Sequence, residues 1–226
     1  MIFIYMKKSC ASTIAILLCL SAYSQKIFIT GDSHVAAKVY PETVKSIVEQ
    51  ARPTAEVSFW GKGSAGFYTF NETPAYMDSI YTAAPDILIV HLGTNGCYNV
   101  PLDAEKTYAD IETFHHNVSD TLPDCKIVFV TPFYNKNREI ISTDGDAPEY
   151  GPWKINEKTR ACADLIVDFA NSRPGVFVID NNADAGTAFF DEEGLIRQDN
   201  IHLTPEGYAL LGRQVADKLL EIEELW

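Results

Sequence analysis

Five short stretches of this chain are apolar almost without interruption, and that pattern limits the fold more than any other feature. They are Lys26–Thr30, Val57–Trp60, Asp86–Leu92, Lys126–Thr131 and Val176–Asp180. A strand with one wet face alternates apolar and polar residues, so a continuous apolar run implies burial on both faces. Between the runs the period changes. Val39–Gln50, Asp103–Val118, Trp153–Asn171 and Thr204–Leu220 carry apolar residues at helical spacing, with Pro205 suited to a first helical turn. Buried strands alternating with helices predict a parallel sheet covered on both sides. The expectation is an α/β fold, a three-layer α/β/α sandwich around a five-stranded parallel sheet. No internal repeat, low-complexity tract or linker interrupts residues 25–226, which are expected to form one domain. The irregular stretch Phe133–Gly151, rich in Asn, Asp and Gly, is expected to be a loop near the site.

The first 24 residues are expected to stand outside that domain. Lys7 and Lys8 precede an apolar stretch, Ile14–Leu20, and Ala22-Tyr23-Ser24 places small residues where a signal peptidase reads them. These features predict a cleavable signal peptide over residues 1–24 and a secreted or periplasmic protein. The apolar run is short for a membrane span. A lipid anchor at Cys19 is disfavoured by the bulky Leu18 before it. Loss of Lys7 and Lys8 takes the net charge from −13 to −15. Such acidity argues against nucleic acid and anionic membrane surfaces as partners and favours a neutral substrate. Outside the leader remain Cys97, Cys125 and Cys162, an odd number with no Cys-x-x-Cys spacing, so free thiols are expected rather than a metal site.

In open parallel sheets ligands bind beyond the carboxyl ends of the strands, so the residues that follow each strand matter most. After the first comes Gly31-Asp32-Ser33-His34. Ser33 there can present its hydroxyl to the cleft, with N–H groups of the next helix near a developing oxyanion; Asp32 or Ser33 can equally well cap that helix. After the second strand comes Gly61-Lys62-Gly63-Ser64-Ala65-Gly66, a flexible turn lacking a dinucleotide-binding pattern. After the third comes Gly93-Thr94-Asn95-Gly96, where Asn95 can donate to a substrate oxygen or simply serve the turn. Near the C-terminus Asp199 precedes His202 by three residues, so one loop can deliver a general base and the carboxylate that fixes its tautomer. Together these are the parts that acyl transfer requires.

In this order the blocks resemble those of the SGNH (GDSL-like) hydrolases, over nearly the whole chain after the leader. Gly31-Asp32-Ser33-His34 resembles the first block, with His34 where the commoner form has Leu. Gly63-Ser64-Ala65-Gly66-Phe67-Tyr68-Thr69 resembles the second, Gly93-Thr94-Asn95 the third, and Asp199 to His202 the last. The resemblance implies a flavodoxin-like sheet and a catalytic triad of Ser33, Asp199 and His202. It also implies an oxyanion hole formed by the N–H of Ser33, the N–H of Gly66 (with Gly63 as the other register) and the side chain of Asn95. No metal or organic cofactor is implied. The remaining histidines need no catalytic role: His115 and His116 fall on a helix, and His91 lies inside a strand, where a hydrogen-bonded core histidine is expected.

The function expected is a secreted serine esterase that removes short acyl groups, acetyl foremost, from carbohydrate. Secretion, acidity and the aromatic residues near loops (Trp60, Phe67, Tyr68, Tyr98, Phe133, Tyr134 and Trp153) favour it, although the same aromatics also suit an ordinary core. Partners would be a small ester or an acetylated glycan, without nucleic acid or stable membrane association. Two rivals stand beside it: a lipolytic esterase, lysophospholipase or thioesterase of the same fold, and a non-catalytic glycan-binding protein.

Overall fold

The computed structural model describes residues 24–95, 102–133, 155–181, 194–199 and 201–226. Its strands are β1 (Gln25–Gly31), β2 (Ala55–Gly61), β3 (Ile87–His91), β4 (Lys126–Val130) and β5 (Val176–Ile179). All pair in parallel, in the order β2-β1-β3-β4-β5. The expected five parallel strands are therefore present, each within about two residues of its sequence-predicted limits.

Side chains of successive strand residues face opposite ways, and here both ways lead into a core. Ile27, Ile29, Ile87, Ile89, Val128 and Val130 join one apolar cluster, whereas Phe28, Leu88, Val90, Ile127 and Phe129 join the other. The first cluster is closed by helices α2 (Val39–Ala51) and α7 (Pro205–Glu221), through Tyr40, Val44 and Val48 and through Leu211, Val215 and Leu219. The second is closed by α3 (Phe67–Glu72), α4 (Pro74–Ala83), α5 (Ala104–Thr121) and α6 (Ile155–Asn171). This is the three-layer α/β/α sandwich, and it explains why the strands lack polar alternation.

The one-turn helix α1 (Ser33–Ala36) precedes α2, and Lys38 between them takes a left-handed backbone angle, φ 69°, that ends the first helix before the second begins. Helices α3 and α4 were not expected from the sequence. Pro74 at the start of α4, with Met77 and Ile80 buried on one side, is the signal that would have marked the longer of the two. Among the described residues no helix is long and apolar enough to cross a membrane. Of the cysteines, Cys125 and Cys162 are free thiols, while Cys97 lies outside the described residues. So do nearly all of the proposed leader, the 134–151 part of the predicted loop, Gly96, Tyr98, Tyr134 and Trp153.

Candidate active site

β1 lies between β2 and β3, and Gly31 is level with Gly61 on one side and His91 on the other. The three segments that leave these strand ends are therefore neighbours at one edge of the sheet. The connection from β1 leads to β2 on one side and that from β3 leads to β4 on the other, which opens a crevice between their ends.

Gly31 is required by space. A Cβ on it would lie 2.2 Å from the carbonyl oxygen of His91. The chain then turns sharply: the Asp32 N–H donates to that same carbonyl at 3.2 Å, and Asp32 Oδ1 accepts the His34 N–H at 2.9 Å. Asp32, not Ser33, thus caps α1. Ser33 is left as the first helical residue, half-buried, with its hydroxyl turned to the cleft.

The opposite wall is the segment 194–204. Asp199 Oδ1 accepts the N–H groups of Ile201 and His202, each at 2.9 Å, and Oδ2 stands 2.8 Å from His202 Nδ1. His202 Nε2 is 3.0 Å from Ser33 Oγ. Partial burial pushes the Asp199 carboxyl up, but the two N–H groups and the His202 ring outweigh it and hold the group below the usual carboxylate range. An ionised Asp199 fixes the proton of His202 on Nδ1, which leaves the Nε2 lone pair to accept the Ser33 hydroxyl proton. The loop is further secured by the Arg197 N–H to the His202 carbonyl, 2.8 Å, and by Arg197 Nε to the Leu203 carbonyl, 2.9 Å. Thr204 caps α7, accepting the Gly207 N–H at 3.2 Å and donating to the Gly194 carbonyl at 2.9 Å. Ser33, His202 and Asp199, separated by up to 169 positions, are therefore joined in one hydrogen-bonded chain.

The expected oxyanion donors are arranged less simply. Asn95 Nδ2 donates to the Ala65 carbonyl at 2.9 Å. That bond ties the β3 segment to the β2 segment beside Gly66 and leaves the second amide hydrogen available. The buried Gly66 caps α3, and its N–H donates to Thr69 Oγ1 at 3.1 Å. A substrate oxygen would have to share or displace that bond. Gly63 is exposed in the turn, and a Cβ there would meet nothing within 4 Å.

Two histidines lie behind the cleft. His34 is fully buried, its ring stacked on His91 at 5.5 Å, edge-on to Phe133 at 5.0 Å and 5.8 Å from the ring of His202. His91 in turn meets Tyr40 edge-on at 5.5 Å. The expectation of a hydrogen-bonded His91 is corrected: both its ring nitrogens are buried without a hydrogen-bond partner among the described residues. Burial pushes its pKa down to about 3, so the ring is neutral. His115 is half-buried and His116 exposed on α5, as expected. Of the aromatics proposed to line the site, Phe67 and Phe133 belong to the core, whereas Tyr68, at the start of α3 beside Gly66, is 41% exposed. Tyr208, marked by no motif, places its hydroxyl 3.3 Å from His34 Nδ1.

Comparison with known proteins bears on the family and the fold. The model of the GDSL-like lipase/acylhydrolase family matches residues 30–210. No curated protein matches. Solved structures do. A lipase/acylhydrolase from Enterococcus faecalis superposes with a TM-score of 0.61 at 18% identity, covering 86% of this chain and 95% of its own. An acetylxylan esterase from Geobacillus stearothermophilus gives 0.66 at 13% identity, covering 86% and 94%. A peptidoglycan O-acetylesterase gives 0.67 at 11% identity, covering 92% and 95%. At these identities the structural likeness concerns the fold.

Proposed function

The chain belongs to the GDSL-like lipase/acylhydrolase family, and from that premise we propose that it is a serine esterase, secreted after loss of residues 1–24, which removes short acyl groups from carbohydrate. The observation that carries this reading is the chain Asp199–His202–Ser33, with contacts of 2.8 and 3.0 Å.

Ser33 Oγ attacks the ester carbonyl carbon while its proton passes to His202 Nε2, and Asp199 stabilises the imidazolium that forms. The carbonyl oxygen becomes an oxyanion, met by the Ser33 N–H, the second hydrogen of Asn95 Nδ2 and the Gly66 N–H once Thr69 yields it. Collapse expels the alcohol, which takes the proton from Nε2 and leaves the acyl group on Ser33. Water then repeats the sequence with Nε2 as base, releasing the acid and restoring Ser33. Asp199 and His202 keep 44% and 32% of their side chains exposed, so water has access to the base.

Acetylated carbohydrate is favoured as substrate by two relatives of this fold, named as acetylxylan and peptidoglycan O-acetyl esterases, and by the exposed ring of Tyr68 beside Gly66. The lipase/acylhydrolase relative favours the lipolytic reading instead. The experiment is kcat/KM for acetyl, butyryl and octanoyl esters of one chromogenic alcohol, with Ser33→Ala as control. The expected result is a preference for acetyl and a loss on the order of 10⁴-fold or more in Ser33→Ala. A preference for octanoyl would replace the carbohydrate reading by the lipolytic one, and an active, folded Ser33→Ala protein would remove the nucleophile.

A further inference from the structure

Ser33 and His202 sit on segments that meet only in the folded chain, and they work as a pair only if those segments keep their relative position. Tyr208 is in contact with both. Its backbone N–H donates to the Thr204 carbonyl at 2.9 Å, in the capped first turn of α7 two residues beyond His202. The hydroxyl crosses to the other wall, 3.3 Å from Nδ1 of His34, the residue after Ser33. The His34 ring then lies 5.9 Å from Tyr208 and 5.8 Å from His202. We propose that the Tyr208 hydroxyl is a positioning group for ester hydrolysis: by donating to His34 Nδ1 it latches the Ser33 turn to the His202 loop and sets the distance between nucleophile and base. This inference rests on the esterase reading above.

A histidine after Ser33 matters for this role, because a leucine there would offer the hydroxyl no acceptor. The chemistry also fixes a proton. A hydroxyl that donates to Nδ1 requires the lone pair there, so His34 carries its hydrogen on Nε2. Burial, foremost among several influences, pushes the Tyr208 pKa up to about 12, so the donor hydrogen is retained across the working range of pH. Tyr208 is 1% exposed and His34 is wholly buried, so water does not replace the bond when it is lost.

The test is Tyr208→Phe, which keeps the ring and removes the hydroxyl, measured on an aryl acetate. The expected result is a fall in kcat of about tenfold, the size of one such hydrogen bond, with KM unchanged. In a His34→Leu background the same substitution should cost almost nothing further, because the bond is already absent. If Tyr208 served only packing, its hydroxyl would cost the same in both backgrounds, and the latch would be overturned. An unchanged kcat in Tyr208→Phe would overturn it too. Nitrogen NMR of the wild-type imidazoles provides a readout independent of turnover and of the folding of any variant. His34 should be protonated on Nε2 and bare on Nδ1, and the reverse tautomer would refute the donation. Failure of the esterase reading itself would show elsewhere, as an inactive wild type or an active Ser33→Ala.

Discussion

Ser33 and His202 face each other across 3.0 Å, yet the two are held in place by different means. The Ser33 turn is an outgrowth of the core. Gly31 presses on the His91 carbonyl, Asp32 and His34 are fully buried, and the rings behind them continue inward to Tyr40. The His202 loop is a surface segment, pinned to the core by Leu195 and Leu203, whose polar groups hold one another. Its order comes from Asp199 accepting three hydrogens, from Arg197 binding two carbonyls and from Thr204 capping α7. Ser33 therefore shares its fate with the fold, whereas His202 can be displaced locally. A pair so divided needs few long-range contacts to be exact, and a small number of hydrogen bonds decides its alignment.

The largest effect expected is that of Gly31→Ala. The added methyl would lie 2.2 Å from the backbone oxygen of His91, which cannot withdraw without moving β1 from β3, and 2.7 Å from the Val35 side chain. A loss of about 3 kcal/mol is expected, read by denaturant unfolding, and activity should fall with the fold. A stable, active Gly31→Ala protein would contradict the core-built description of the Ser33 wall.

Asp199→Asn should show the opposite pattern, with turnover lost and the fold kept. The amide cannot stabilise the imidazolium, so kcat should fall on the order of 10²–10⁴-fold. The stability change should be small and should depend on pH with a definite sign. Asp199 is held below the ordinary carboxylate range, so its contribution is full above the unfolded pKa and disappears as the pH falls through the lower folded value. The difference in Tm between wild type and Asp199→Asn should therefore be present at pH 7 and close below about pH 4. Unfolding at neutral pH on the scale of Gly31→Ala would erase the contrast between the two walls.

How much of this was legible in the sequence depended on distance along the chain. The five strands were legible because burial on both faces removes polar residues from a run, and Leu88 and Ile89, pointing to opposite cores, show why. Asp199 and His202 were legible because three positions separate them and one loop must carry both. Helix α3 was not, since Phe67–Glu72 is a six-residue element whose helical state is imposed by the packing of Phe67 and Phe70. The hydrogen bond of Gly66 to Thr69 and that of Asn95 to Ala65 were also hidden. A spacing can nominate a donor but cannot tell whether the donor is already engaged. Nothing local marked Tyr208, which is 174 positions from His34. For His91 the strand pattern indicated burial correctly but not the absence of polar partners among the described residues.

That last feature gives the fold an acid limit. An unfolded chain takes up a proton on this imidazole near pH 6.5, whereas the folded chain resists until about 3. Throughout that interval the unfolded state binds the extra proton, so each step of one pH unit downward removes about 1.4 kcal/mol from the free energy of unfolding. The difference in that free energy between wild type and His91→Phe should shift by about this slope per unit between roughly pH 6 and pH 4. The stack of rings that steadies Ser33 would then also govern how sour a medium the protein can endure, quite apart from the titration of Asp199.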